Sequence, residues 1–262
     1  MTNDYEVARK TWESHVPVEI SLEGASAEMR PFYMMIPRCS YFGLQLQRII
    51  QYFTSLDDCP QLDPANLVLD CMGILVKTYY PVGVLYDLHR TAGNDVLAFT
   101  LRNKRGDEAV VAPSHVLESM FMQSVKEADF LKRKADVITA MKKEDHHQLW
   151  SGVAHYKFDD FWNVNRRLVE NHDGKPFLHC PLRFYEGVQP FRQIPLIPAK
   201  ESGDPVLLSD ALALVFPDTD LSTRQVISQG IPLPLDTPIS YLAANICYPD
   251  NFVHILDKLS AR

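Results

Sequence analysis

Residues 81–90 read PVGVLYDLHR and residues 94–102 read NDVLAFTLR. Pro81 suits the opening of a short helix, where its missing N–H would be unpaired anyway. The second stretch is bounded by turn formers and reads as a strand. Upstream, NLVLDCM (66–72) and GILVKTYY (73–80) read as two more short strands, and residues 16–37, rich in Val, Ile, Phe, Tyr and Pro, alternate as a hairpin does. Between them FGLQLQRIIQYF places Phe42, Leu46, Ile49 and Phe53 on one face of a helix. Two strands, helix, strands, short helix, last strand is the order of a ubiquitin-like β-grasp unit.

The order returns near the other end. FLHCPLRFY and FRQIPLIP read as a hairpin, LSDALALVF as a short helix with Ser209 as its cap, QVISQGIPLP as extended chain, and TPISYLAANICYPDNFVHIL completes the series. Sliding the chain on itself by 157 positions lays Pro81 on Pro238, Leu85 on Leu242, Asn94 on Asn251 and Val96 on Val253. The middle is helical. Pro113 and Ser114 open a segment reaching about Ala140, with Leu117, Phe121, Ala128, Leu131, Ala135 and Ile138 in one apolar stripe; FDDFWNVNRRLVEN follows, with Phe158, Phe161, Trp162, Leu168 and Val169 facing inward. The expected architecture is α+β: an N-terminal helix (1–12), a first ubiquitin-like domain (13–105), a linker and helix-rich domain (106–174) and a second ubiquitin-like domain (175–262).

Composition narrows the function. With 262 residues, 46% hydrophobic and 23% charged, the chain has the make-up of a globular protein. A net charge of -7 argues against nucleic acid, whose phosphates require a clustered positive face. The basic runs at 132–134 and 142–143 each have acids nearby. Neither a secretory leader nor a run of about 18 apolar residues is visible, so a cytoplasmic protein is expected. Five scattered cysteines, without C-x-x-C spacing, read as reduced thiols. No phosphate-cradling glycine loop occurs among the 11 glycines. Adjacent His146 and His147 diverge by about 100° on a helix and cannot grip one metal together, so neither cofactor nor metal is expected. A cysteine hydrolase using Cys71 or Cys180 with a distant histidine is the alternative enzyme reading.

Lys126 stands out on the central helix. With the apolar stripe centred on Leu117, it lies about 180° away, pointing outward. Met122 and Phe130 sit four residues to either side, with Val137 further along, so the amine stands in apolar surroundings where charge would be ordinary. Single exposed apolar residues are common on surfaces; a docking surface built round an amine is the sharper reading. A ubiquitin fold that is itself activated needs a terminal glycine, whereas this sequence ends ILDKLSAR, which points to an acceptor rather than a donor.

VKEADFLKRKADVITAMKKEDHHQLWSG, FDDFWNVNRRL, RPFYMMIPRCSY, YYPVGVLYDL and YPDNFVHI resemble, in the same order, stretches of the autophagy protein 5 family. The resemblance implies two ubiquitin-like domains flanking a helix-rich domain and a non-catalytic scaffold, the covalent acceptor of ubiquitin-like autophagy protein 12. The family's acceptor lysine precedes Glu-Ala-Asp and maps onto Lys126, beside which the helical wheel sets Met122 and Phe130 as a docking surface. It further implies a non-covalent helix of autophagy protein 16 held in an apolar groove, and contact with the pathway's conjugating enzymes. The conjugate would act like a ligase, promoting lipidation of the ubiquitin-like protein 8 family at the phagophore membrane, to which it is recruited through partners. Such an acceptor presents its amine; the enzymes supply thioester and deprotonation.

Overall fold

In the computed structural model, residues 4–259 are described apart from 91, 92, 94, 171–174, 188, 219 and 221–223. Strands β1 (His15–Leu22) and β2 (Phe32–Pro37) pair antiparallel, His15 opposite Pro37 and Ile20 opposite Phe32. Alternation buries Val16, Val18, Ile20 and Leu22 together with Met34 and Ile36. Helix α2 (Phe42–Thr54) covers that face with Phe42, Ile49 and Phe53. Then come β3 (Leu67–Cys71), β4 (Ile74–Leu75), α3 (Val82–His89) and β5 (Leu97–Asn103). Strand β5 runs parallel to β1 and antiparallel to β3, giving the sheet order β2-β1-β5-β3-β4 expected of a β-grasp unit.

The helical elements are α1 (Tyr5–Trp12), α4 (Ser114–Arg133), α5 (Asp136–Ala140), α6 (Lys143–Ala154) and α7 (Phe158–Val169). The second sheet holds β6 (Leu182–Glu186), β7 (Arg224–Ser228), β8 (Ile231–Pro232) and β9 (Val253–Leu259) in the order β6-β9-β7-β8, with helices α8 (Leu208–Val215) and α9 (Ile239–Asn245). Parallel β6 and β9 repeat the β1–β5 relation. The self-match is physical at its start: Pro81 and Pro238 are both N-caps, of α3 and α9, and Leu85 and Leu242 are both buried. Val96 precedes β5 and Val253 opens β9; Asn94 lies outside the described residues.

Three local expectations are corrected. The second strand of the later hairpin is only a bridge, in which Phe184 and Arg192 exchange N–H···O bonds of 2.9 and 2.8 Å, because Pro195 and Pro198 have no N–H to continue a ladder. The cap of α8 is Leu207, whose N–H donates to the Asp210 carboxylate at 2.9 Å; Ser209 is already inside the helix. The central helix does not run to Ala140, since Lys134 and Ala135 take φ of 56° and 67° and end it. Ala135 and Val137 therefore do not share the wheel of α4.

By packing, the chain forms two compact units, Ser14–Glu118 and the residues up to Glu13 with those from Ser119 onward. In the latter, α1 is fastened by aromatics: Trp12 stacks on Tyr156 at 5.7 Å and Phe161 at 4.9 Å and meets Phe158 edge-on at 5.6 Å. Helices α6 and α7 approach so closely at Gly152 that a Cβ there would lie 2.6 Å from the Phe161 Cβ and 2.9 Å from its backbone nitrogen. Gly152→Ala should accordingly cost about 1–3 kcal/mol, read as a lowered urea midpoint with an unchanged slope.

Candidate functional site

Helix α4 buries Phe121, Val125 and Ala128, with Phe121 against Trp150 at 5.6 Å between ring centres. On its other side Lys126 is exposed, Phe130 is 60% exposed and Met122 is half-buried. The candidate amine thus stands on open helix with one large apolar neighbour more than half exposed and one partly tucked in.

What fixes that orientation is a polar junction at the end of α4. Asp129 is buried and accepts from the Val137 and Ile138 N–H groups at 3.0 and 2.8 Å and from Arg133 at 2.8 Å, which offsets the left-handed exit. Arg133 also donates to the carbonyls of Leu168 at 3.2 Å and Glu170 at 2.6 Å. Lys132 is buried, its Nζ donating to the Leu168 carbonyl and the Asn251 side chain, both at 3.1 Å, with Phe177 5.3 Å beneath it. Asn251, at φ 67°, in turn donates to Asn165 at 2.7 Å. The Leu178 and His179 N–H groups donate to the carbonyls of Lys132 and Leu131.

A second network ties the middle of α4 to the second sheet. Arg183 on β6 reaches Glu127 at 3.2 Å and Ser124 at 3.4 Å, lies 3.6 Å from Asp250 and covers the Phe252 ring at 3.6 Å. Gln193 donates to Glu127 at 2.7 Å. Asp250 pairs with His254 at 3.0 Å, and the other ring nitrogen of His254 meets the Tyr185 hydroxyl at 2.7 Å. Burial alone would raise the Asp250 carboxyl; the charge and hydrogen bond of His254, the Arg183 charge and the Phe252 N–H outweigh it and hold it below its ordinary value.

Of the 132–134 run read as basic residues answered by acids, Arg133 does pair with Asp129, whereas Lys132 departs from that reading. Its partners are neutral oxygens, and Lys134 lies beyond the helix. The signal was present: the wheel that sends Lys126 outward puts Lys132 about 60° from Leu117, inside the apolar arc. Asp250, Asn251 and His254 belong to YPDNFVHI, whose polar residues carry no periodicity that announces their burial.

The remaining candidates are not drawn together. Burial pushes the Cys71 thiol up to about 11, helped by Asp70, and the Cys180 thiol up to about 12 against the pull of Lys132, the reverse of an activated nucleophile. Among the described residues neither thiol hydrogen-bonds a histidine. His146 lies 3.3 Å from the Ile138 carbonyl while His147 is exposed, and no metal-suited cluster occurs among the described residues.

With this geometry in place, three family models match the chain: Autophagy protein ATG5, UblA domain, over residues 11–103; alpha-helical bundle region, over 114–171; and UblB domain, over 179–256. Autophagy-related protein 5 of Caenorhabditis elegans is 36% identical over 268 residues, spanning 97% of this chain and 98% of the relative. The chain belongs to the autophagy protein 5 family. Autophagy protein 5 of Drosophila melanogaster is 34% identical over 269 residues, with 97% of each chain covered. The fold matches the crystal structure of Kluyveromyces marxianus Atg5 with a TM-score of 0.81 over 97% of this chain and 100% of that one, at 18% identity. Two ubiquitin-like units with a helical region between them are thus the family's fold as well as this chain's.

Burial lowers Lys132 from the ordinary 10.5 to about 8. Between those values the unfolded chain binds more protons than the folded one, so the Lys132 contribution to stability rises with pH across that window and is least below about pH 8. Buried thiols act in the opposite sense, so the measurement is a difference between proteins. From pH 7.5 to 10, the urea midpoint of the wild type should gain on that of Lys132→Met; parallel midpoints would show that Lys132 titrates normally.

Proposed function

We propose that this protein is a non-catalytic subunit of the autophagy conjugation machinery and that Lys126 is its covalent acceptor for ubiquitin-like autophagy protein 12. The observation that carries this reading is the contrast along α4: Lys126 exposed beside an exposed Phe130, Lys132 buried and bonded. In the reaction the amine nitrogen attacks the thioester carbonyl presented by a conjugating enzyme. The C–S bond breaks, the C–N bond forms, the thiolate leaves on the enzyme, and the amine proton passes to a base that the enzyme supplies. This chain contributes presentation, an amine on a helix held by the Asp129 and Arg183 networks, which lowers the orientational cost of transfer. The raised thiols disfavour the cysteine-hydrolase alternative.

The same reading assigns a helix of autophagy protein 16 as the non-covalent partner and gives the resulting conjugate a ligase-like role in lipidating the ubiquitin-like protein 8 family. Placement at the phagophore membrane runs through those partners; the net charge of -7 supports this, since anionic lipid surfaces repel it. The unconjugated protein should therefore stay at the bottom of a flotation gradient with anionic vesicles.

Lys126→Arg should shift folding stability by less than about 0.5 kcal/mol, because the position is solvated. It should abolish conjugation, because a guanidinium remains protonated. Met122→Ala with Phe130→Ala should slow the reaction while the protein stays folded. The check is reconstitution with the activating and conjugating enzymes, followed on a reducing gel; a thiol-resistant higher-mass band at wild-type yield from Lys126→Arg would remove Lys126 as the acceptor.

A further inference from the structure

We propose that the outer edge of β2 is a docking site for an extended, acidic segment of a partner protein, which adds to the first sheet as a further strand. Strand β2 is terminal in the order β2-β1-β5-β3-β4. The register decides which of its backbone groups are free. Arg38 donates to the Ser14 carbonyl at 2.9 Å, so in this antiparallel ladder the groups of Phe32, Met34 and Ile36 face β1. Those of Tyr33 and Met35 face away, and no backbone bond occupies them among the described residues. The side chains of the same two residues are the exposed ones, at 61% and 56%, while Met34 and Ile36 enter the core.

Sheet edges are ordinarily guarded by lysine, proline, a bulge or a covering loop. Residues 33–36, YMMI, carry none of these within the strand, and Pro37 stands only at its end. The second unit shows the contrast: the place corresponding to β2 is occupied by proline-interrupted chain that forms a single bridge. One edge is blunted and the other is regular and open.

Charge selects the occupant. At the start of β2, Phe32 stacks on Tyr52 at 4.4 Å, and the guanidinium of Arg48 lies 5.7 Å from the Phe32 ring centre. The Tyr52 hydroxyl donates to the carbonyls of Arg30 and Pro31 at 3.2 and 3.3 Å, which brings Arg30 to the same end. Neither arginine has an ion-pair partner among the described residues, and both are exposed on a chain of net charge -7. Glu19 takes a hydrogen bond from Tyr33 further along. The incoming strand accordingly places its acidic residues at the Phe32 end and lays apolar side chains over Tyr33 and Met35, with main-chain bonds supplying affinity. None of this depends on the role of Lys126.

The probe is a labelled peptide of three glutamates followed by alternating valine and threonine, titrated into the full chain by fluorescence anisotropy and followed by amide hydrogen exchange. Exchange at Tyr33 and Met35 should slow at least tenfold at saturation, while Phe32, Met34 and Ile36, already bonded to β1, should not change. Met35→Pro removes an outward N–H and no ladder bond, and should weaken binding about tenfold or more at an unaltered melting temperature; Arg30→Glu with Arg48→Glu should do the same. If Met35→Pro does not fold, the wild-type exchange pattern and the arginine pair still decide. Binding without slowed exchange at Tyr33 and Met35, equal binding of the peptide with three lysines, or a doubled mass by light scattering with those amides protected in the absence of peptide would overturn the proposal, the last by making a second copy the occupant.

Discussion

The ammonium of Lys132, buried between the Leu168 carbonyl and the Asn251 amide, is the interaction on which the candidate site hangs. A charge taken out of water is costly unless each donor finds an acceptor. Here the acceptors come from the end of α7 and from the turn before β9, so the cost is offset only when helix α4, helix α7 and the second sheet are all in place. The junction holds the end of α4 in the rotation that its buried apolar stripe prescribes, with Lys126 outward.

The two lysines show how one helix assigns opposite chemistry to the same side chain. Lys126 stands on the solvated face beside the exposed Phe130. Lys132 is committed to the fold, drawn down to about 8 by burial, and unavailable to any enzyme while the chain is folded. Lys134, a further two residues on, belongs to the left-handed exit. Burial thus sets Lys132 apart, while Lys134, exposed like Lys126, differs from it in backbone geometry.

The two β-grasp units share strand order and the proline-capped helices α3 and α9, yet their outer edges differ. Proline in the segment after β6 removes the donors that would have built a regular fifth strand. The first unit keeps a regular β2 with free backbone groups and displayed Tyr33 and Met35. Duplicated folds can thus carry different surfaces through a few residues that either permit or forbid a hydrogen-bond ladder.

Apolar periodicity by itself determined the two β-grasp units, the helical region between them and the outward direction of Lys126, because burial of alternate or helically spaced side chains is a local pattern that short windows contain. It carried Lys132 onto the inner arc as well, but the residue type argued for solvent, and only the arrangement of Leu168 and Asn251 decided otherwise. The break at Lys134 and Ala135 was equally beyond local pattern: neither is glycine, and the exit exists because the Asp129 carboxylate gathers the N–H groups of Val137 and Ile138. The Arg183, Asp250 and His254 network likewise joins residues far apart in the chain. Hydrogen-bond partners distant in sequence are chosen by the packed structure, since a polar side chain's burial depends on which acceptor the fold brings to it.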